Sequence, residues 1–305
     1  MNTPRALDGQ AIGLMMILCM IWGLQQVAIK AAEPDIAPVL QIALRSGIAA
    51  LLVGGVVLGR GERLYWSDGT WRPGLLVGVL FALEYLLVGE GLRHTTASHM
   101  VVFLYTAPIF SALGLHWKLP SERLQTFQWM GMLLAFLGLV VAFFGRGPAM
   151  SGAMLWGDFL GLLAGMAWGL TTVVIRCSSL ARASTTQTLL YQLVGAFVLL
   201  MLAALGMGQT AFSPTPLAWG SLLFQAVVVS FASFLVWFWL LRRYLASRLG
   251  VLSFMTPLFG IGFGVWLLLE PLEPSFLAGS LLVLAGILLV TGSGLRQRQL
   301  SGSLR

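Results

Sequence analysis

The chain has 305 residues, 58% of them hydrophobic and only 10% charged, with a mean hydropathy of +0.89. A soluble domain is about 25% charged, so a chain this poor in charge cannot cover a water-facing surface, and a water-soluble fold is excluded. The net charge of +7 sits in loops between apolar runs, where orientation in a bilayer accounts for it; no nucleic-acid partner is expected.

A spanning helix takes about 20 mostly apolar residues. Ten such runs follow one another, at residues 11–29, 39–59, 74–92, 97–117, 127–145, 156–175, 186–206, 217–241, 249–269 and 276–292. They predict an all-α integral membrane protein of ten transmembrane helices. The first run follows Arg5 and Asp8 and has no small-residue cleavage site before Lys30, so it is read as a retained span and not as a signal peptide. Cys19 and Cys177 lie in or beside apolar runs and form neither a metal spacing nor a disulfide framework. With a cytoplasmic N-terminus, fourteen of the 18 basic residues fall in inside loops and tails, and only Lys30, Arg93 and Arg146 fall outside. Arg45 lies within a span. That bias places both termini in the cytoplasm.

Self-comparison exposes a repeat. Ile21-Trp22-Gly23-Leu24, with Lys30 eight residues after the Trp, returns as Ala167-Trp168-Gly169-Leu170 with Arg176 eight after its Trp. Ala97-Ser98 before Pro108 returns as Ala246-Ser247 before Pro257, and Glu122, Gly131 and Gly138 return as Glu270, Gly279 and Gly286. Landmarks in the same order predict two five-helix repeats, residues 1–148 and 149–305. Five is odd, so the halves are expected to be inverted around a central cavity. Inverted repeats are typical of secondary transporters, whose substrate site lies near the midplane at the repeat interface.

These landmarks carry a resemblance. Trp22-Gly23…Lys30, Ala97-Ser98…Thr106-Ala107-Pro108, Glu122-Arg123-Leu124, Gly157-Asp158…Trp168 and Ala246-Ser247…Thr256-Pro257…Glu270 resemble the pattern of EamA-type transporters of the drug/metabolite transporter superfamily. The likeness is greatest to the YddG-type amino-acid exporters. It implies a ten-helix basket whose cavity is lined by spans 1, 3, 4, 6, 8 and 9, in a bacterial inner membrane. The second repeat departs from the pattern, with Leu-Glu-Pro-Leu around Glu270 where the first has Glu-Arg-Leu.

Within the runs, Gly157, Gly161, Gly165 and Gly169 recur every four residues and mark one face for close helix packing; Gly74 with Gly78 and Gly260 with Gly264 repeat this more weakly. The Gly260-Ile-Gly-Phe-Gly264 run has no preceding strand and is no nucleotide loop. Pro108 and Pro257, expected mid-helix, are either packing kinks or hinges.

Ionisable groups inside a membrane are costly and functional by default. Arg45, one turn into its run, is read as snorkelling, and Glu90 and His116 as interfacial. Glu84 falls near the midplane. A proton carrier, a partner for a substrate amine and a neutral buried carboxyl remain open for it. His99 is either a hydrogen-bonded histidine or a gate. Trp22 shares a helix face with Gln25 and Gln26, and Trp168 with Thr171 and Thr172. Tyr85, Tyr105, Tyr191 and Trp237 are further aromatic candidates, whereas Trp66, Trp71, Trp117 and Trp219 suit interfacial anchoring. No clustering of nucleophile, base and oxyanion donors supports catalysis, and no cofactor or metal is implied. The expectation is a transporter exporting small metabolites, foremost neutral or aromatic amino acids. Its rivals are a drug or cation carrier of the same fold, a membrane enzyme acting on lipid or peptide, and a passive channel.

Overall fold

The computed structural model describes residues 8–61, 69–120, 123–144, 152–244, 249 and 252–302. Among these the chain is helix joined by short turns, apart from one isolated bridge between Ile36 and Phe212. In chain order the helices are α1 (Gly9–Ala31), α2 (Pro38–Gly59), α3 (Trp71–Leu92), α4 (Ala97–Leu104), α5 (Ala107–Lys118), α6 (Thr126–Phe144), α7 (Gly152–Arg176) and α8 (Thr185–Gly206). They continue as α9 (Pro216–Leu223), a π-helical stretch at Phe224–Ala232, α10 (Ser233–Arg243), α11 (Met255–Leu268) and α12 (Pro274–Gly302). Side-chain oxygens of Asp8, Ser184 and Thr215 cap α1, α8 and α9, accepting from backbone N–H groups of the first turn. Among the described residues seven helical segments are long and apolar enough to cross a membrane, with α4–α5 and α9 through Trp237 each counting as one; three further apolar helices are shorter.

Three expected spans are not uninterrupted α-helices. Pro108 cannot donate to the carbonyl four residues back, and its ring would collide with it. Accordingly α4 ends at Leu104, Tyr105 and Thr106 form a turn, and Pro108 stands in the first turn of α5, where a missing N–H costs nothing. Pro257 behaves alike: Ser253 and Phe254 form a turn, and it stands in the first turn of α11. Neither proline is mid-helix as expected; each follows a break. In the eighth span the helix widens to π geometry for nine residues.

Lipid tails are as apolar as leucine, so helices in a bilayer associate by close backbone contact at small residues. The glycine face of α7 does this along α4 and α5, running in the same direction. Gly161 meets Phe103, Gly165 meets Thr106 and the Phe103 and Leu104 carbonyls, and Gly169 meets Phe110 and the Ala107 carbonyl. α1 runs alongside α11 in the same sense, with Gly23 against Phe259 and Gly260, and α3 alongside α8, with Gly74 and Gly78 against Tyr191. α2 parallels α9 and the π stretch through hydrogen bonds from Gln41 to Ser221 and from Arg45 to Gln225. Antiparallel pairs join α2 to α8, with Ala37 near Ala211 and Gly47 near Phe197, and α3 to α7, with Gly69 near Ser179 and Gly91 near Gly157. The most extensive packing is between α6 and α12, antiparallel, with Gly138 against Gly279 and Gly131 against Gly286.

A Cβ on Gly138 would lie 2.6 Å from the Gly279 carbonyl and the Val283 nitrogen, both backbone atoms that cannot swing away. Gly138→Ala is expected to destabilise the protein by about 1–3 kcal/mol. Gly54→Ala, with open space around the new methyl, leaves the melting temperature unchanged. Melting of both variants in detergent checks the pair.

Candidate functional site

Arg45 stands two turns into α2 and is only 2% exposed, so it does not snorkel. The first turns of α2 are buried against α3, α8 and the π stretch. The Arg45 Nη1 donates to Gln225 Oε1 at 2.6 Å, and the guanidinium lies over the Tyr85 ring, 4.2 Å from its centroid. Gln225 in turn donates from Nε2 to the Gln25 carbonyl at 2.7 Å, and the Gln25 side chain donates to the Tyr85 hydroxyl at 3.3 Å. Just beside them Gln41 donates to Ser221, whose hydroxyl donates to the Ala28 carbonyl at 2.8 Å. One connected set of polar groups therefore joins α1, α2, α3 and the eighth span, drawing on both halves of the chain.

This set is incompletely satisfied. Arg45 Nε has no hydrogen-bond partner, and neither has Oε2 of Glu84, which is 3% exposed on the adjacent turn of α3. No ion pair joins Arg45 and Glu84. The Gln26 Oε1 is likewise buried and unpartnered. Two aromatic pairs flank the polar groups. Trp22 and Trp237 meet edge to face at 5.7 Å, with the Trp22 Nε1 donating to the Ser233 hydroxyl at 3.0 Å. Tyr105 and Trp168 meet edge to face at 5.3 Å. Tyr105 lies in the break between α4 and α5, and its hydroxyl is beside Thr256 in the first turn of α11, just after the matching break. The two discontinuities thus face each other.

The structure brings together Gln25, Glu84 and Tyr85, with Trp22, Trp237, Tyr105 and Trp168 at the flanks. It sets others apart. Thr171 and Thr172 donate to the Ala167 and Trp168 carbonyls of their own helix, so their hydroxyl protons are committed. His99 lies at the start of α4, with Nδ1 3.0 Å from Asp158 and its ring stacked 3.8 Å from Phe276. Thr95 also donates to Asp158, and this group ties α4, α7 and α12 together. Nearby Glu270 accepts from the Ala97 and Ser98 N–H groups at 2.7 and 3.0 Å, capping α4. Leu269, in the left-handed conformation at φ 55°, turns the chain so that Glu270 can reach back. Gly264 faces Ser98 and Glu270. Tyr191 packs on Gly74 and meets the Thr70 hydroxyl. The landmarks Glu122, Ala246 and Ser247, and the anchor Trp66, lie outside the described residues.

Sequence reasoning missed Gln225, Ser221 and Ser233, and it gave Arg45 a peripheral role. The available signal was amide and hydroxyl groups in otherwise apolar runs. A separate groove of about 270 Å³, lined by Leu24, Ala28, Gly220, Phe224, Leu267 and Leu268 among others, opens between α1, α9 and α11 and is predominantly apolar.

The EamA-like transporter family matches residues 9–144 and 155–292. The chain is 25% identical over 273 residues to an uncharacterized transporter, YoaV, of Bacillus subtilis, covering 89% of this chain and 93% of that one. It is 28% identical over 298 residues to a probable amino-acid metabolite efflux pump of Salmonella typhimurium, covering 90% and 92%. A protein solved as a crystal structure shares the fold, with a TM-score of 0.66 at 20% identity over 95% of this chain and 99% of that one.

Replacing Gln225 by leucine removes the acceptor from a buried cation. A hydrogen bond to a charged group contributes about 1.5–3 kcal/mol, so Gln225→Leu is expected to lower stability by that amount in a detergent melt. Thr172→Val, which loses a bond only to its own helix, is expected to be near neutral.

Proposed function

We propose a function on one premise: the chain belongs to the EamA-like transporter family. It is a multi-pass membrane protein of a transporter family, and in our reading it is a secondary transporter that exports small metabolites, foremost neutral or aromatic amino acids. The carrying observation is the buried polar set around Arg45 and Glu84. It holds a cation and a carboxyl without a full complement of partners, flanked by aromatic rings, at the junction of the two halves. Groups left so in a membrane interior mark a pathway. The amino-acid cargo draws further support from the relative named as an amino-acid metabolite efflux pump.

The helix directions support the inverted arrangement of ten spans. Each pair equivalent by the repeat, such as α1 with α7 or α2 with α8, runs in opposite senses, judged by the residues that meet along them. Two copies related by an in-plane axis can exchange conformations and so expose one site to either side in turn. The facing breaks at Tyr105–Thr106 and Ser253–Phe254 are the hinge points in this reading, with Pro108 and Pro257 starting the swinging segments. The basic-residue bias sets both termini in the cytoplasm of a bacterial inner membrane.

Glu84 without a hydrogen bond at Oε2, between aromatic pairs, also favours a second reading, an organic-cation carrier of the same fold. Uptake of labelled phenylalanine and of a lipophilic cation into proteoliposomes separates the two. Saturable phenylalanine flux that other amino acids compete for is the expected result. Flux of the cation alone would establish the second reading, and non-saturating conductance would overturn both. Glu84→Gln is expected to cut phenylalanine flux at least about ten-fold, the loss of one charge-assisted contact. If Glu84 carries protons the variant's residual flux loses its pH dependence; if it pairs with the amine, that dependence persists.

A further inference from the structure

We infer that Arg45 is the carboxylate-recognition residue of the transport site and that Glu84 is its counterpart for the ammonium group, so that the cluster reads a zwitterion by both ends. The inference rests on the amino-acid reading above. It assigns a role to Arg45 that neither the family match nor the relatives' names supply.

A guanidinium has five N–H donors in a planar fork and suits a carboxylate in a bidentate grip. At Arg45 a single donor, Nη1, is engaged, and its acceptor is the neutral amide of Gln225. The face of the fork is covered by Tyr85, which orients the plane. Nε is buried and unpartnered. A buried cation compensated only by an amide and a ring lacks its anion, and breaking or omitting such a partner is costly. Glu84 does not supply it, since no ion pair forms and its own Oε2 is unpartnered. A guanidinium and a carboxyl group buried on neighbouring helices, each with an unpartnered polar atom, match the carboxylate and the ammonium of a zwitterion. Gln225 is fixed by its second bond, to the Gln25 carbonyl, so the guanidinium is positioned before a ligand arrives. Trp22, Trp237, Tyr105 and Trp168 supply flat apolar surface for the remaining side chain.

The test uses the full chain in proteoliposomes, with labelled L-phenylalanine as the probe. Its competitors are 3-phenylpropanoate, which lacks the amine, and phenethylamine, which lacks the carboxylate. Arg45→Gln is expected to raise the KM for phenylalanine at least about ten-fold and to abolish competition by 3-phenylpropanoate, with phenethylamine changed less than two-fold. Glu84→Gln gives the reverse pattern. Gln225→Glu serves where Arg45→Gln fails to fold. It keeps the cation and gives it an internal carboxylate, and it too is expected to abolish competition by 3-phenylpropanoate. Equal weakening of all three compounds in these variants would make Arg45 structural and overturn the assignment, as would an unchanged phenylalanine KM. Should the wild-type protein carry no phenylalanine, the functional reading falls by itself. The Arg45 assignment is then read from thermal stabilisation by 3-phenylpropanoate, expected in the wild type and lost in Arg45→Gln; absence of that stabilisation in the wild type would overturn it.

Discussion

Backbone-to-backbone contact at glycine is the constraint on which the structure depends. In a bilayer the core is not assembled by expelling water from apolar side chains, because the surrounding lipid offers them the same environment. What remains is dispersion at short range and hydrogen bonding, both of which need helices to approach closely. The face of α7 made by Gly157, Gly161, Gly165 and Gly169 meets backbone atoms of α3, α4 and α5 or their side-chain roots at every step. Gly138, Gly279 and Gly286 do the same for α6 and α12. Large apolar side chains, by contrast, are widely exposed, among them Leu58, Leu133, Phe136 and Leu202. In water that would be an aggregation surface; here it is the surface that meets lipid.

Close packing in turn permits polar groups inside. Gln25, Gln41, Arg45, Glu84 and Gln225 are all less than about a tenth exposed, and Gln25, Gln41, Arg45 and Gln225 each hydrogen-bond to a group on another helix. Such bonds cannot form unless the helix axes are already near, so the glycine contacts come first in the physical hierarchy and the polar set is positioned by them. The π-helical stretch belongs to the same logic. π-bulges concentrate at functional sites, and this one carries Gln225 and leads straight into Ser233, which accepts from Trp22. One irregular segment thus presents partners to both Arg45 and Trp22.

Much of this was legible in the sequence because the features involved are local. The apolar runs, the four-residue spacing of glycines on α7 and the pairing of Trp22 with Gln25 on one face each follow from helical periodicity alone. The failures were non-local. The burial of Arg45 is not legible because the first turns of α2 are covered by α8 and the π stretch, segments distant in the chain. His99 drew attention as an ionisable residue, but its partner Asp158 is 59 positions away, and no periodicity announces that meeting. Thr171 and Thr172 share a face with Trp168 as expected, yet a hydroxyl in a helix can always bond to the carbonyl one turn back, which makes face membership a poor guide to function. The π geometry has no sequence signature.

The breaks near Pro108 and Pro257 unite these threads. Non-helical backbone at membrane depth is tolerated only where protein or a water-lined cavity covers it. At the first break much of the compensation is local: the Thr106 hydroxyl donates to the Phe103 carbonyl at 2.6 Å, and Ser111 donates to the Pro108 carbonyl at 3.0 Å. The cover is Gly165, which lies against Thr106 and the Phe103 and Leu104 carbonyls, so a larger residue there would hold α7 away from the turn and open it to lipid. One turn further on, Gly169 lies against the Ala107 carbonyl, Phe110 and Ser111, and Gly23 makes the corresponding contacts after the second break, with the Thr256 carbonyl, Phe259 and Gly260. Each of these two glycines directly follows a tryptophan, Gly23 after Trp22 and Gly169 after Trp168. The close approach that seals each break therefore also brings a tryptophan to the interior. Packing, helix discontinuity and site are consequences of one short-range contact made twice, once in each half of the chain.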